Sequence, residues 1–198
     1  EVGGRLMTRS VVQLGGQALK LDADGDTTIE VSSDDVLVVD TAGNEALKID
    51  ANGHVTKALQ PAFLAQPSST QTNVAVGTQS DMLFGTEIFD NNGDFGSSVF
   101  TAPVTGKYQL NMNVMCQQIN TDYAYLDIQL VTSNRTYLYS YTPDHFIEEA
   151  NCAFHHSMNV LADMDANDTA KIRIDIPNTG SAQLDAHSYS TFSGYLVA

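Results

Sequence analysis

The sequence is short of basic residues. Nine of its 198 residues are Lys or Arg, against 24 Asp or Glu, and the formal net charge is −15. Binding to a phosphate backbone needs clusters of Lys and Arg, so this composition argues against a nucleic-acid partner. An acidic surface is compatible with divalent cations, with basic partners, or simply with solubility.

Long apolar runs and a cysteine framework are also missing. No stretch reaches the roughly 18 apolar residues that a membrane helix needs, so we expect no membrane insertion. The two cysteines, Cys116 and Cys152, are too few for a disulfide scaffold or a zinc site. Both fall at apolar positions of predicted strands, which favours buried thiols over a disulfide.

No segment has a convincing helical period. Short alternating segments separated by turn residues predict an all-β sandwich or barrel instead. The predicted strands are 84–89, 106–119, 123–132, 135–141, 151–162, 169–176 and 188–198. Alternation predicts a core formed by Tyr108, Leu110, Met112, Val114, Cys116, Leu126, Ile128, Leu130, Cys152, Phe154, His156, Met158, Val160, Ala170, Ile172, Ile174 and Ile176.

The first 59 residues contain a loose repeat. Ala18–Gly25 recurs as Ala46–Gly53, and Val36–Gly43 is a degenerate third copy. Each unit is a short strand followed by Asp, two residues and Gly, a pattern typical of a tight turn. Units this short must stack to bury a face, so we expect a fibrous β-repeat shaft in an intertwined trimer. The residues predicted to face its axis are Leu19, Leu21, Val36, Val38, Leu47 and Ile49.

Residues 57–67 mark a change of pattern and predict two domains, 1–59 and 60–198. In the second, Phe100–Leu110 and Thr191–Val197 resemble the two signature stretches of the complement component 1q globular head, which is related to the tumour-necrosis-factor-like jelly roll. Gln60–Ala65 resembles the first strand of that head. The resemblance implies a ten-stranded jelly roll that forms a homotrimer through one sheet, with the last strand near the threefold axis. The interface residues it implies there are Phe192, Gly194, Tyr195 and Leu196.

The repeats of the first domain resemble the fibrous shafts of bacteriophage tail fibres and spikes, and no Gly-X-Y collagen repeat is present. A β-fibre leading into such a head implies a virion appendage that acts outside the cell. Its expected partners are two copies of itself, other virion proteins, and a glycan or protein of the host surface.

Calcium is the only cofactor that the sequence suggests. Asp90, Asn92 and Asp94 offer oxygen ligands within one tight loop, although a plain turn is the simpler interpretation. Asp22, Asp24 and Asp26 form a second acidic loop without the spacing of an EF-hand, and we interpret it as a turn.

Tyrosine is concentrated in two predicted strands. Tyr137, Tyr139 and Tyr141 share a face that is either a contact surface or, as we favour, buried. Receptor recognition is expected in the neighbouring loops, because loops carry most recognition residues. The candidate receptor-binding residues are Asp122, Tyr123, Asp144, His145 and Glu148.

No catalytic motif of known spacing occurs, so we expect a protein that is not an enzyme. Asp144, Glu148 and Glu149 could supply the paired carboxylates of a polysaccharide depolymerase, but a solvated acidic loop is the simpler interpretation. A structural virion decoration protein without a receptor is the other alternative. His155 and His156 are adjacent in a predicted strand and should point to opposite faces, so together they cannot hold one metal ion.

Overall fold

A computed structural model describes residues 17–119, 123–143, 152–177 and 183–198. The chain divides into two compact units, Glu1–Leu59 and Gln60–Ala198, at the point where the sequence pattern changes. We call the second unit the head. The described residues include no helix with the length and apolar character needed to cross a membrane.

The first unit is a five-stranded antiparallel sheet whose strands follow one another in chain order. Its strands are β1 (Leu19–Lys20), β2 (Thr28–Ser33), β3 (Val36–Thr41), β4 (Asn44–Ile49) and β5 (Val55–Thr56). The predicted turns are confirmed. The backbone N–H of Gly25 donates to Oδ1 of Asp22 over 2.9 Å, and that of Asn52 donates to Oδ1 of Asp50 over 2.9 Å. Gly25 and Gly53 have φ values of 79° and 84°, which other residues adopt only with strain.

The strand register assigns most of the aliphatic side chains of this sheet to one face. Ile29 lies opposite Val39, and Val39 lies opposite Leu47. Side chains directly opposite each other project from the same face. The same reasoning along all five strands gives one set, which we call the apolar face: Leu19, Ile29, Val31, Leu37, Val39, Leu47, Ile49 and Val55.

The six residues predicted to face the shaft axis therefore do not all share one face of the sheet. Val38 lies opposite Glu30 and Lys48, and Val36, two positions away, shares its face. Because β3 is apolar at four successive positions, Val36 to Val39, alternation alone could not choose its face. Leu21 lies one residue beyond β1 and is 53% exposed.

The head is a sandwich of two antiparallel sheets, as the sequence predicted. Its strands are β6 (Ala62–Gln66), β7 (Gln71–Val74), β8 (Gln79–Asp81), β9 (Thr86–Asp90), β10 (Phe95–Gly96), β11 (Val99–Thr101), β12 (Gly106–Ile119), β13 (Leu126–Thr132), β14 (Thr136–Tyr141), β15 (Cys152–Met164), β16 (Thr169–Asp175), β17 (Leu184–Ala186) and β18 (Thr191–Leu196).

One sheet has seven strands. It runs β7-β17-β12-β18-β6-β9, with β15 on the other side of β12. The second has six, in the order β10-β11-β16-β13-β14, with β8 also paired to β16. In the described parts of the head there are thus more strands than the expected ten. The number is higher because some strands are short and lie end to end beside the same neighbour. β17 and β18, for example, pair with different parts of the same edge of β12.

The core lies between the two sheets, and most of the predicted core positions are confirmed. All of those on β12, β13 and β16 are buried, as is Ile176 just after β16. On β15, His156 is buried, but Phe154 is 39% exposed, contrary to the prediction. The reason is that β15 pairs only with β12, so it is an edge strand and the opposing sheet covers it incompletely. Neither cysteine forms a disulfide, and Cys116 is fully buried.

Phe192 and Gly194 belong to this core and not to a trimer interface, which corrects the expectation from the sequence. The Phe192 ring packs edge-on against Phe63, with centroids 5.0 Å apart. Gly194 is buried opposite Phe63, and a Cβ atom there would lie 2.8 Å from the Phe63 ring and 2.7 Å from a methyl carbon of Leu110. Leu196 also packs against the core, whereas Tyr195, on the opposite face of β18, is 49% exposed.

Candidate functional site

Three adjacent strands of the seven-stranded sheet, β15, β12 and β18, turn one face away from the core. The paired residues Lys107 and Asp163 lie at one end of this face, and His155 lies at the other. Between these two ends the face has no acidic or basic side chain. We call it the uncharged face, and it consists of Gln109, Asn111, Asn113, Met115, Ser157, Asn159, Leu161, Thr191, Ser193 and Tyr195.

The amide side chains of the uncharged face bond to one another and to their neighbours. Gln109 Nε2 donates to Asn111 Oδ1 over 3.1 Å, and Asn111 Nδ2 donates to Ser193 Oγ over 3.4 Å. Oδ1 of Asn113 accepts from Ser157 Oγ over 3.4 Å. Polar groups that are already paired can be covered by another surface at a smaller desolvation cost.

Apolar side chains flank these amides. Leu161 and Tyr195 lie on either side of Gln109 and are 55% and 49% exposed. Depletion of charge with aromatic and aliphatic anchors is typical of the centre of a protein interface. In a chain of net charge −15, a surface without charge is also one on which identical copies can meet without repulsion.

A second feature of the head is an aromatic cleft at the open edge of the sandwich. It is a cavity of about 120 Å³ lined by Tyr139, Tyr141, Phe154, His155 and His156, between the edge strands β14 and β15. The two sheets separate here, and the cleft is mainly apolar.

His156 forms the floor of the aromatic cleft. Its Nδ1 lies 3.2 Å from the carbonyl oxygen of Val114, and its Nε2 lies 3.1 Å from the hydroxyl of Tyr141. The carbonyl can only accept, so Nδ1 carries the proton and Nε2 accepts from Tyr141. Burial lowers the pKa of His156, and the neighbouring His155 lowers it further against the opposing effect of the Val114 hydrogen bond. The side chain of His155 is exposed, so the expectation of opposite faces is confirmed.

The tyrosine stripe is partly buried. Tyr137 and Tyr141 pack against the core, while Tyr139 is 44% exposed in the cleft. Tyr123 is 1% exposed, so its side chain cannot contact a receptor. The prediction that Tyr123 binds a receptor is therefore wrong. The other candidate receptor residues, Asp122, Asp144, His145 and Glu148, lie outside the described residues, as does Glu149.

The loop of the first calcium candidate is a turn held by its own carboxylate. Oδ1 of Asp90 accepts from the backbone N–H of Asp94 over 3.1 Å, and Oδ2 accepts from that of Phe95 over 2.8 Å. Asn92 Nδ2 donates to Oδ2 of Asp94 over 3.3 Å. Burial raises the pKa of Asp94, with Asn92 opposing and Asp90 adding to the rise. Calcium binding by these residues stays a prediction.

The second acidic loop also serves as a turn. Ligand oxygens of Asp22, Asp24 and Asp26 lie within 4.8 Å of one another, and all three residues are exposed. Oδ2 of Asp22 accepts from the backbone N–H of Thr27 over 3.1 Å, and the pKa of Asp22 is lowered to about 2, chiefly by hydrogen bonding to Thr27.

The uncharged face was missed by reasoning on individual residues, although its signal is in the sequence. Gln109, Asn111 and Asn113 alternate with buried apolar residues along β12, and Ser157, Asn159 and Leu161 alternate with partly buried apolar residues along β15. A row of uncharged residues at the outward positions of two strands, in a strongly acidic chain, indicates a covered surface.

The comparisons with known proteins agree with this fold. Residues 62–197 match the family model of the C1q domain. Among solved structures, the globular domain of zebrafish complement 1qA protein is 16% identical, with a TM-score of 0.50 over 70% of this chain and 98% of that chain. Murine APRIL is 12% identical, with a TM-score of 0.46 over 70% of this chain and 99% of that chain. None of the curated proteins matches the chain. The family match covers more than half of the sequence, and the chain therefore belongs to the C1q domain family.

Proposed function

We propose that this protein is a homotrimeric virion appendage, without enzymatic activity, whose head binds a glycan or protein on the surface of a host cell. The first unit is the shaft in this proposal, and the head carries the recognition sites. The proposal combines three supports: the C1q domain, the repeat pattern of the first unit, and the uncharged face.

The uncharged face is the observation that carries the homotrimer. In a closed ring of three copies, each head contacts two others, and the same surfaces recur at every contact. Ten adjacent positions without an acidic or basic side chain let those contacts form without burying unpaired charge. Leu161 and Tyr195 supply the apolar anchors of each contact.

Three identical heads on one stalk would allow the proposed trimer to attach firmly to a host surface. A receptor site that is weak in one head becomes strong when three heads bind one surface together, because the second and third binding events are intramolecular. The repeats of the first unit, which resemble phage tail-fibre shafts, support a place on a virion, where such an appendage also contacts other virion proteins.

The experiment is a binding assay of the full chain against bacterial cell-envelope fractions and arrayed surface polysaccharides. We expect saturable binding, and a head-interface variant, Leu161→Glu, should bind at least about 10²-fold more weakly because avidity is lost. The matched control is Leu138→Glu, which places the same charge at an equally exposed leucine of the other sheet.

Two outcomes would overturn the proposal. A trimer that binds no envelope fraction and no polysaccharide would leave a structural decoration protein. Release of soluble sugar from a bound polysaccharide would identify a depolymerase, and loss of that release in Asp144→Ala, Glu148→Ala or Glu149→Ala variants would locate its carboxylates.

A further inference from the structure

The described part of the first unit, residues 17–59, is a sheet of one layer. Five strands, β1 to β5, account for the secondary structure described between residues 17 and 59. A sheet with an apolar face is stable only when a second layer covers that face. The described residues of this unit supply no second layer.

Its two faces differ sharply in chemistry. The apolar face carries eight aliphatic side chains and no charge, and four of them, Leu19, Ile29, Val31 and Val55, are between 36% and 59% exposed. The opposite face carries all the charged side chains of these five strands: Lys20, Glu30, Asp40, Glu45 and Lys48.

Charges on the opposite face interact among themselves. Lys48 Nζ lies 3.9 Å from a carboxylate oxygen of Glu45, and Thr28 Oγ1 donates to Asp40 over 3.2 Å. Val38 and Thr28, which also lie on this face, are only 5% and 8% exposed, so its apolar surface is already covered in the single chain. The apolar face is the one left to bind, and its occupant must present a matching surface without charge.

We propose that the apolar face packs on the same face of two other copies of this chain, so that three sheets enclose one aliphatic core around the shaft axis. An identical sheet is a partner without charge on its binding side, which satisfies the charge requirement directly. This inference rests on the homotrimer of the proposed function.

The size of the face explains why the head is needed. Eight side chains are far fewer than the roughly 20–30 residues on each side of a standard protein interface. The shaft faces alone do not hold three copies together in dilute solution. Three heads already joined raise the effective concentration of the sheets, and the apolar faces then associate.

Cysteine cross-linking of the full chain tests the arrangement, in a Cys152→Ser background that leaves only the buried Cys116. Ile29→Cys and Ile49→Cys place a thiol on the apolar face, and Glu30→Cys and Lys48→Cys are their sequence neighbours on the charged face. With an oxidant or a short bis-maleimide, we expect inter-chain cross-links from the first pair and at least tenfold less from the second.

A second pair of variants checks the result without thiols. Val55→Lys places a charge on the apolar face, and Thr56→Lys places the same charge on the other face of the same edge strand; both positions are exposed. We expect Val55→Lys to accelerate proteolysis between residues 17 and 59 several-fold and Thr56→Lys to have no effect.

The outcomes separate this inference from the proposed function. A full chain of trimeric mass without cross-links from the apolar face, or with equal cross-links from both faces, would overturn the inference alone and point to cover from within the same chain or from another protein. A trimer with the expected cross-links that binds no host surface would overturn only the attachment function. A monomeric full chain would overturn both.

Discussion

The hydroxyl group of Tyr141 donates a hydrogen bond to Nε2 of His156 over 3.1 Å, and the two rings stack with centroids 5.3 Å apart. This pair joins the two sheets beside the aromatic cleft, since β14 and β15 belong to different sheets. The hydrogen bond to the carbonyl of Val114 places the proton on Nδ1, and burial lowers the pKa of His156, which favours the neutral imidazole at the boundary of the core.

The stability of the head should fall on acidification before the carboxylates titrate. Burial lowers the pKa of His156 in the folded state, so below the ordinary histidine pKa of about 6.5 the unfolded chain binds a proton that the folded chain does not. The contribution of His156 is complete above about pH 6.5 and decreases below it, with a slope of at most about 1.4 kcal/mol per pH unit.

Urea unfolding at pH 7.5, 6 and 5 measures this dependence. The control is His156→Gln, which keeps a polar side chain but does not titrate. A wild-type pH dependence that persists unchanged in His156→Gln would show that other groups are responsible.

Gly194→Ala should destabilise the head by about 1–3 kcal/mol, since overpacking a buried site costs that much. The added Cβ would approach Leu110 and Phe63 within 2.7 and 2.8 Å. Gly96→Ala is the matched control, because a Cβ there meets nothing within 4 Å. Chemical denaturation compares the two variants, and equal stability would contradict the packing described here.

The two thiols should differ in reactivity. Cys116 is fully buried, and burial raises its pKa to about 12, so almost none of it is thiolate near neutral pH. Cys152 is partly exposed. In native buffer a Cys152→Ser variant should show no thiol that reacts with an aromatic disulfide reagent, and one thiol in denaturant. Rapid labelling of native Cys152→Ser would disprove the burial of Cys116.

Charge on the uncharged face should weaken association of the heads. Leu161→Glu brings a carboxylate into each contact of the proposed trimer, and we expect the concentration for half-dissociation to rise at least about tenfold. Leu138→Glu, at a 53% exposed leucine of the other sheet, should leave it unchanged. Sedimentation at several concentrations distinguishes the two, and equal effects of both variants would argue against this face as the interface.

Much of the head could be predicted from the alternation of apolar and polar residues, because a long alternating segment is typical of a strand with one buried face. The bounds of β12, Gly106–Ile119, match the prediction. Short strands such as Gln79–Asp81 were missed because three polar residues carry no periodic signal and are held by pairing with β16.

Alternation separates two faces but does not say what covers each one. The resemblance to the complement component 1q head implies a trimer interface at Phe192 and Gly194, and alternation could not show that the fold of the chain itself buries them. Similarly, Val38 was placed with Leu47, and only the register with Lys48 shows that it lies on the other face.

The central claim is the homotrimer, and the absolute mass of the full chain in solution by light scattering tests it most directly. The account predicts three times the chain mass of 21.4 kDa. A mass of 21.4 kDa across the accessible concentration range would contradict it, because the uncharged face of the head and the apolar face of the first unit would then both stand without the partner that explains them.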